Sequence, residues 1–161
     1  MKTYNETELG KLFRQEKQPT DRTCQHTCLA MITGNTVEYV IKWFGDYGDM
    51  PLCSEDTIVF LAHHGVYLAI YAEGKDGKYL NLSKGTSLDI SITLKHRPAL
   101  LAVISERFED TTHAVFWDGM KVLDPSPLVK EPRTLESYKI IEYWPLLFTE
   151  QQFNRIDKAM V

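Results

Sequence analysis

The sequence predicts an α+β fold in which helices come first and pack on an antiparallel sheet. Through about residue 65, apolar residues recur at helical spacing between polar capping residues and glycines. After that point, short apolar runs alternate with turn residues, which is typical of strands. Asp118-Gly119 joins two such runs, and Asp-Gly in this setting is a strong signal for an antiparallel hairpin. The chain has no repeat or linker, so we expect a single domain over residues 1–161.

The predicted helices begin at polar residues and end at glycines or polar loops. Cys24 opens the most informative one, because a turn-prone polar run ends there and an apolar helical pattern starts. Gly34 is expected to end that helix, and Thr36 and Ser54 to cap the next two. The expected spans are residues 6–14, 24–33, 37–44 and 55–63, with a further helix beginning at Thr149.

The predicted strands lie mainly in the second half of the chain. Pro98 precedes the apolar run at residues 99–104, whose near-continuous hydrophobicity is typical of a central strand. The other expected strands are residues 66–71, 113–117, 120–124 and 135–143. This order of helices followed by strands indicates a sheet built largely after the helical layer.

Composition excludes several classes of function. The chain has 161 residues, enough for one domain with a proper core. Its net charge of -4 argues against a nucleic-acid or anionic-membrane partner, because either would require a basic face. No apolar run reaches the roughly 18 residues of a membrane span, and the polar N-terminus does not resemble a secretory signal. We therefore expect a cytoplasmic protein. Three cysteines, an odd count, leave at least one thiol free.

Cys24 is the first candidate functional residue. It falls in the first turn of the predicted helix at residues 24–33, where unpaired backbone N–H groups and the helix dipole stabilise a thiolate. Gln18 stands six residues upstream in the preceding loop. Its side-chain amide can donate a hydrogen bond to an oxyanion that forms beside the sulfur.

The predicted hairpin supplies two further candidates. A two-residue loop at Asp118-Gly119 places His113 directly opposite Asp124, with Cβ atoms roughly 4.5–5.5 Å apart. The aspartate can then hold the imidazole in one tautomer and stabilise the imidazolium. On an isolated hairpin such a pair is more often a surface ion pair. Its occurrence together with Gln18 and Cys24 favours a catalytic site.

These residues make the chain similar to the bacteriocin-processing, double-glycine-leader peptidases, a family of papain-like cysteine peptidases. The family pattern is a glutamine, a cysteine six residues later and a second cysteine four residues beyond, followed by Leu-Ala-Met-Ile. Gln18, Cys24, Cys28 and residues 29–32 follow this pattern. A second pattern, His and apolar residues, then a short hairpin and Asp-Pro, corresponds to residues 113–115 and 124–125.

The resemblance implies a papain-like fold and cleavage of a peptide or isopeptide bond in a peptide or protein substrate, without cofactor or metal. It implies that Gln18 is the oxyanion donor, Cys24 the nucleophile, His113 the base and Asp124 the residue that orients His113. Gln25 departs from the family pattern, which usually has glycine at this position, and a side chain there is expected to crowd the substrate. The best-known members are fused to export transporters. Because no apolar run in this chain reaches the length of a membrane span, leader-peptide cleavage during export is not carried over to it.

Three alternatives remain open at this level. Gln25 is compatible with a decayed peptidase scaffold that acts as a binding or inhibitor protein. Acyl-transferases and transglutaminases also use Cys-His-Asp sites, so transfer chemistry is a further alternative. A zinc site formed by Cys24, His26, Cys28 and Cys53 would lack the second closely spaced ligand pair of structural zinc sites. We interpret Cys28 as a core residue rather than as a redox partner of Cys24.

Overall fold

The computed structural model describes residues 13–48, 50–68, 72–73 and 94–149. Within these ranges, three α-helices pack on an antiparallel sheet, which confirms the predicted α+β class. Among these residues, none of the helices has the length and apolar character needed to cross a membrane.

The helices match their predicted spans to within one residue. They are α1 (Cys24–Thr33), α2 (Val37–Trp43) and α3 (Ser54–His63), with a 3₁₀ turn at Gly45–Tyr47 after α2. Gly34 ends α1 in the left-handed conformation at φ 69°, which glycine adopts without strain.

The capping residues agree with the sequence at one helix and differ at another. The Thr36 side chain caps α2 by accepting a hydrogen bond from the backbone N–H of Tyr39. Cys53, rather than the predicted Ser54, occupies the capping position of α3. The predicted helix at residues 6–14 lies outside the described residues, except that positions 13 and 14 are not helical.

The sheet contains six strands in the described part of the chain, and every pairing is antiparallel. The strands are β1 (Val66–Leu68), β2 (Ala72–Glu73), β3 (Ala99–Ile104), β4 (Thr112–Trp117), β5 (Val122–Leu123) and β6 (Ile140–Phe148). They follow the order β1-β6-β3-β4-β5, and β2 pairs with β6 beside β1. The central position predicted for residues 99–104 is confirmed, because β3 lies between β6 and β4.

The strand predicted at residues 135–143 is wrong at both ends. Leu135–Ser137 forms a 3₁₀ turn, and β6 begins at Ile140 and continues through Pro145. The backbone N–H of Leu146 donates to Pro98 on the β3 side, so the nitrogen of Pro145 points away from β3. Pro145 also lies between the segments of β6 that pair with β1 and β2. The helix predicted from Thr149 lies outside the described residues.

The predicted register of the hairpin is also wrong. Trp117 pairs with Val122 rather than with Met120, so His113 is not directly opposite Asp124. The whole pairing has shifted by two residues. Because side chains alternate along a strand, a shift of two leaves each side chain on its predicted face.

The cause of the shift is the position of the turn. Asp118 and Lys121 close the hairpin through a backbone hydrogen bond of 3.1 Å, so its tip is Gly119-Met120 rather than Asp118-Gly119. The Asp118 carboxylate accepts from the backbone N–H groups of Met120 and Lys121 at 2.8 and 2.9 Å. Gly119 adopts φ 103°, a conformation that favours glycine at the first position of a two-residue turn.

The helices and the sheet enclose a core in which α1 is central. Every residue of α1 from His26 to Thr33 is buried, and α1 packs against β4 and α2. Cys28 lies in this core and is fully buried, as predicted. A second apolar cluster, which includes Val115 and Ile140, occupies other positions of the sheet. The burial of α1 fixes its N-terminus, and therefore Cys24, against β4.

We predict that Gly119→Ala destabilises the protein more than Gly45→Ala. Both glycines have positive φ, but a Cβ at Gly119 would lie 3.1 Å from the carbonyl carbon of His96, whereas a Cβ at Gly45 meets nothing within 4 Å. The expected losses in unfolding free energy are about 3 kcal/mol and about 1 kcal/mol. Urea denaturation measures both, and equal losses would contradict the assigned turn.

Candidate active site

The Cys24 thiol lies at the N-terminus of α1 beside β4. Burial alone would raise the pKa of this thiol, but a hydrogen bond with the His113 side chain and the backbone N–H groups of Ala114 and Gln25 lower it below its ordinary value. Cys24 is partly exposed, whereas Cys28 is buried. Cys24 is therefore a reachable sulfur whose thiolate form is stabilised by its surroundings.

His113 connects Cys24 to Asp124. Its Nε2 atom lies 2.7 Å from Oδ1 of Asp124, which leaves Nδ1 as the ring nitrogen that can face the sulfur. Burial alone would lower the pKa of His113, but the hydrogen bonds with Asp124 and Cys24 raise it to about 9. A lowered thiol pKa together with a raised imidazole pKa favours a thiolate–imidazolium pair at neutral pH.

Asp124 is held by donors on both carboxylate oxygens. Oδ1 accepts from the backbone N–H of Ser126 at 2.8 Å as well as from His113, and Oδ2 accepts from the Tyr138 hydroxyl at 2.7 Å. Burial alone would raise the pKa of Asp124, but these interactions, led by His113, lower it. Burial and the bond to Asp124 raise the pKa of Tyr138 well above its ordinary value, so Tyr138 remains a donor. The carboxylate is thus kept ionised and in one orientation.

The loop before α1 is fastened to the loop after β5. The backbone N–H of Gln18 donates to the carbonyl of Pro125 at 2.8 Å, and the Gln15 side chain donates to the carbonyl of Asp124 at 3.0 Å. The Lys17 ammonium donates to three carbonyls of the second loop, those of Asp124, Ser126 and Val129. These bonds place Gln18 next to the residues that hold His113.

The Gln18 side chain faces the same cavity as Cys24, His113 and Asp124. Its amide nitrogen donates one hydrogen bond to the carbonyl of Thr20 at 2.9 Å. Because a primary amide carries two N–H bonds, a second donor remains on this nitrogen. The structure therefore brings all four predicted site residues together.

Gln25 does not close the site. Its amide donates to the Thr57 hydroxyl on α3 at 2.6 Å, and Thr57 in turn donates to the carbonyl of Cys53. The Gln25 side chain thus forms part of a cavity wall, while Cys24 remains partly exposed and lines the same cavity. The crowding expected from Gln25 is limited by this attachment to α3.

Two cavities meet at the thiol, and Cys24, His113, Asp21, Phe108 and Thr112 line both of them. The Trp144 cavity, of about 520 Å³, extends over β3, β4 and β6 to Trp144 and Leu52. The Tyr138 cavity, of about 360 Å³, extends past Gln18 and Asp124 to Tyr138. A ligand that lies across the thiol can therefore occupy both cavities.

The thiols of the other two cysteines have different surroundings. Burial, followed by the negative charges of Cys24 and Asp124, raises the pKa of Cys28 well above its ordinary value. Cys53 is exposed, and its pKa is raised by its hydrogen bond to the Asp56 carboxylate. Within the described ranges, no group of three His, Cys, Asp or Glu residues is arranged to hold a metal ion.

Tyr138 and Lys17 were missed by the sequence analysis. Tyr138 precedes β6 in a segment predicted to be strand, and its spacing from Asp124 follows no known pattern. Lys17 lies in a polar loop where a lysine is normally solvated. Both act through contacts between distant loops, and a single sequence carries no signal for such contacts.

No protein-family model matches the chain, and no curated protein matches it either. Any functional assignment therefore depends on the contacts around Cys24 and on the chemistry that they permit.

We predict that Tyr138→Phe moves the pH midpoint of Cys24 alkylation upward. Without the hydroxyl, the Asp124 carboxylate is held less firmly in the orientation that bonds His113, so the imidazolium that stabilises the Cys24 thiolate is supported less well. Stability should fall by about 1–3 kcal/mol because a buried carboxylate oxygen loses its donor. Tyr143→Phe is the matched control, since Tyr143 packs against the same apolar cluster away from Asp124. Equal midpoints in the two variants would contradict this role of Tyr138.

We also predict that iodoacetamide at pH 7 labels Cys24 at least about tenfold faster than the more exposed Cys53. The lowered pKa of Cys24 gives this thiol a larger thiolate fraction at pH 7 than an ordinary cysteine has, and its labelling slows as the pH is lowered further. Cys53 has a raised pKa and gains reactivity only at alkaline pH. His113→Ala should remove most of the difference. Peptide mass spectrometry of the labelled protein measures each site, and equal rates would argue against an activated thiol.

Proposed function

We propose that this chain is a papain-like thiol hydrolase, and specifically a cysteine peptidase. The observation that carries the proposal is the position of His113, which is bonded to Asp124 at 2.7 Å and lowers the pKa of the Cys24 thiol at the end of α1. The position of Cys24 at a helix N-terminus and of His113 on a sheet strand supports the papain-like assignment. So does the resemblance to the double-glycine-leader peptidases on Gln18 and the residues around Cys24.

Catalysis begins with attack of the Cys24 thiolate on the carbonyl carbon of a peptide or isopeptide bond. The developing oxyanion accepts hydrogen bonds from the second amide N–H of Gln18 and from the backbone N–H of Cys24. The His113 imidazolium then protonates the leaving amine, and an acyl-enzyme remains on the sulfur. His113 next takes a proton from water, and the water oxygen attacks the thioester carbonyl carbon. The C–S bond then breaks, the carboxylic acid product leaves, and Cys24 returns to the thiolate beside the His113 imidazolium.

Asp124 fixes the ring of His113 throughout this sequence. Its bond to Nε2 keeps Nδ1 directed at the sulfur and stabilises the positive charge of the imidazolium. The bonds from Tyr138 and Ser126 prevent the carboxylate from rotating away. The proposed reaction uses only groups of the chain, the peptide substrate and water, so it requires no cofactor.

A second candidate is acyl transfer, which the two cavities favour. Because each cavity reaches the thiol, an amine acceptor bound in the Tyr138 cavity can replace water in the attack on the thioester. Mass spectrometry of the products with and without added amines separates the two reactions. Products that carry the amine would assign a transferase.

We predict that hydrolysis of a peptide library, measured by mass spectrometry, depends on Cys24, Asp124 and Gln18. Cys24→Ala should abolish cleavage, and Asp124→Asn should lower kcat about 10⁴-fold because the ring is no longer held in the reactive form. Gln18→Ala should lower kcat about 10²–10³-fold through loss of an oxyanion donor.

Cys53→Ala is the control, because Cys53 is exposed and lies outside both cavities. It should leave cleavage unchanged. Cleavage that survives Cys24→Ala would overturn the proposal. A lack of cleavage of every peptide, with normal alkylation of Cys24, would favour a binding protein on a peptidase scaffold.

A further inference from the structure

The loop between β3 and β4, residues 105–111, is closed by its own hydrogen bonds. The backbone N–H of Ser105 donates to the carbonyl of Thr111 at 2.9 Å. The Ser105 hydroxyl accepts from the backbone N–H groups of Arg107 and Phe108 at 3.2 and 3.0 Å, and the Thr111 hydroxyl donates to the carbonyl of Phe108 at 3.0 Å. Because these bonds lie within the loop, the β3–β4 loop can move as one unit at the ends of the two strands.

Two ion pairs join the β3–β4 loop to the loops that carry the site residues. Arg107 pairs with Asp21 in the loop before α1. Glu106 pairs with Arg133 in the loop after β5 at 2.9 Å. The loops before α1 and after β5 are bonded to each other, so they form one side of an opening and the β3–β4 loop forms the other. The ion pairs connect the two sides.

The opening between these sides is the mouth of the Tyr138 cavity. All four side chains of the ion pairs line this cavity, together with Gln18, Cys24 and His113. The same four side chains are 34–66% exposed, so they lie at the outer end of the cavity rather than at its base. The two ion pairs therefore span the mouth of the cavity that contains the site.

These pairs are of a kind that breaks readily. Exposed ion pairs contribute little, and two of them together favour the closed arrangement by a factor of roughly 2–30. Dissolved salt screens exposed pairs much more than buried ones. Ionic strength should therefore act on the mouth of the cavity and leave the buried His113–Asp124 pair largely unaffected.

We propose that the β3–β4 loop is a lid on the Tyr138 cavity, that these two ion pairs hold it closed, and that it opens to admit a polypeptide chain. A small reagent reaches Cys24 through the Trp144 cavity while the lid is closed. A chain that lies across the thiol and occupies both cavities requires the lid to open. The proposal concerns access to Cys24, and it rests on the proposed function only in naming a polypeptide as the ligand.

Two reagents with the same reactive group test the lid. Iodoacetamide is compared with a peptide that carries an iodoacetyl group on a central side chain, and mass spectrometry measures the alkylation rate of Cys24 with each. The ratio of the peptide rate to the iodoacetamide rate reports access by a chain. It should rise at least about twofold between 0.1 M and 1 M NaCl, because the Debye length falls from about 10 Å to about 3 Å.

Variants of the β3–β4 loop separate the ion pairs from other effects of salt. Glu106→Gln combined with Arg107→Gln removes both pairs, so the ratio at 0.1 M NaCl should rise at least about threefold and no longer depend on salt. Arg107→Asp places two negative charges together and should also raise the ratio, and adding Asp21→Arg should restore it. Glu109→Gln is the matched control, because Glu109 lies on the same loop and forms no ion pair with a described residue. It should leave the ratio unchanged.

The outcomes separate this inference from the proposed function. A ratio that responds neither to salt nor to the loss of both pairs would overturn the lid and leave the peptidase proposal standing. A ratio that responds as expected, in a protein that cleaves no peptide, would support the lid and overturn the proposed function. Circular dichroism and the iodoacetamide rate show that each variant is folded.

Discussion

The site depends on one buried carboxylate. Asp124 is only 3% exposed, and an ionised group at that depth is tolerated only when its oxygens are hydrogen-bonded. His113, Ser126 and Tyr138 satisfy its side chain, while Gln15 and Lys17 bind its backbone carbonyl. The hydrogen bonds to Asp124 therefore hold a strand, a turn and two loops together at this residue. The same bonds place Gln18 and orient His113.

The negative charge of Asp124 affects the ionisation of Cys24 through His113. An ionised partner on Nε2 stabilises the imidazolium, and the imidazolium stabilises a thiolate on its other side. The opposite shifts in the pKa values of His113 and Cys24 follow from this arrangement. Cys28, one turn further along the same helix, has no such partner and remains an ordinary buried thiol. Position relative to the histidine, and not the helix alone, thus distinguishes the two cysteines.

The hairpin shows how a wrong register can still predict the correct neighbours. The turn moved by one residue because Asp118 caps it with its side chain and Gly119 takes the positive φ. The pairing then shifted by two, and a shift of two preserves the face of every side chain. His113 and Asp124 became diagonal rather than direct neighbours, yet their side chains reach each other at 2.7 Å. A shift of one would have separated them.

Local chemistry in the sequence determined the three described helices, the Thr36 cap, the central strand and the four candidate residues, because those features depend on periodicity and on nearest neighbours along the chain. Only the tertiary structure decided that Tyr138 and Lys17 hold the site and that Gln25 attaches to Thr57. It also decided that β6 extends through Pro145, since the pairing partners that permit this lie far away in sequence. Contacts between distant segments leave no periodic trace in one chain, and they arise only when the packed core brings those segments together.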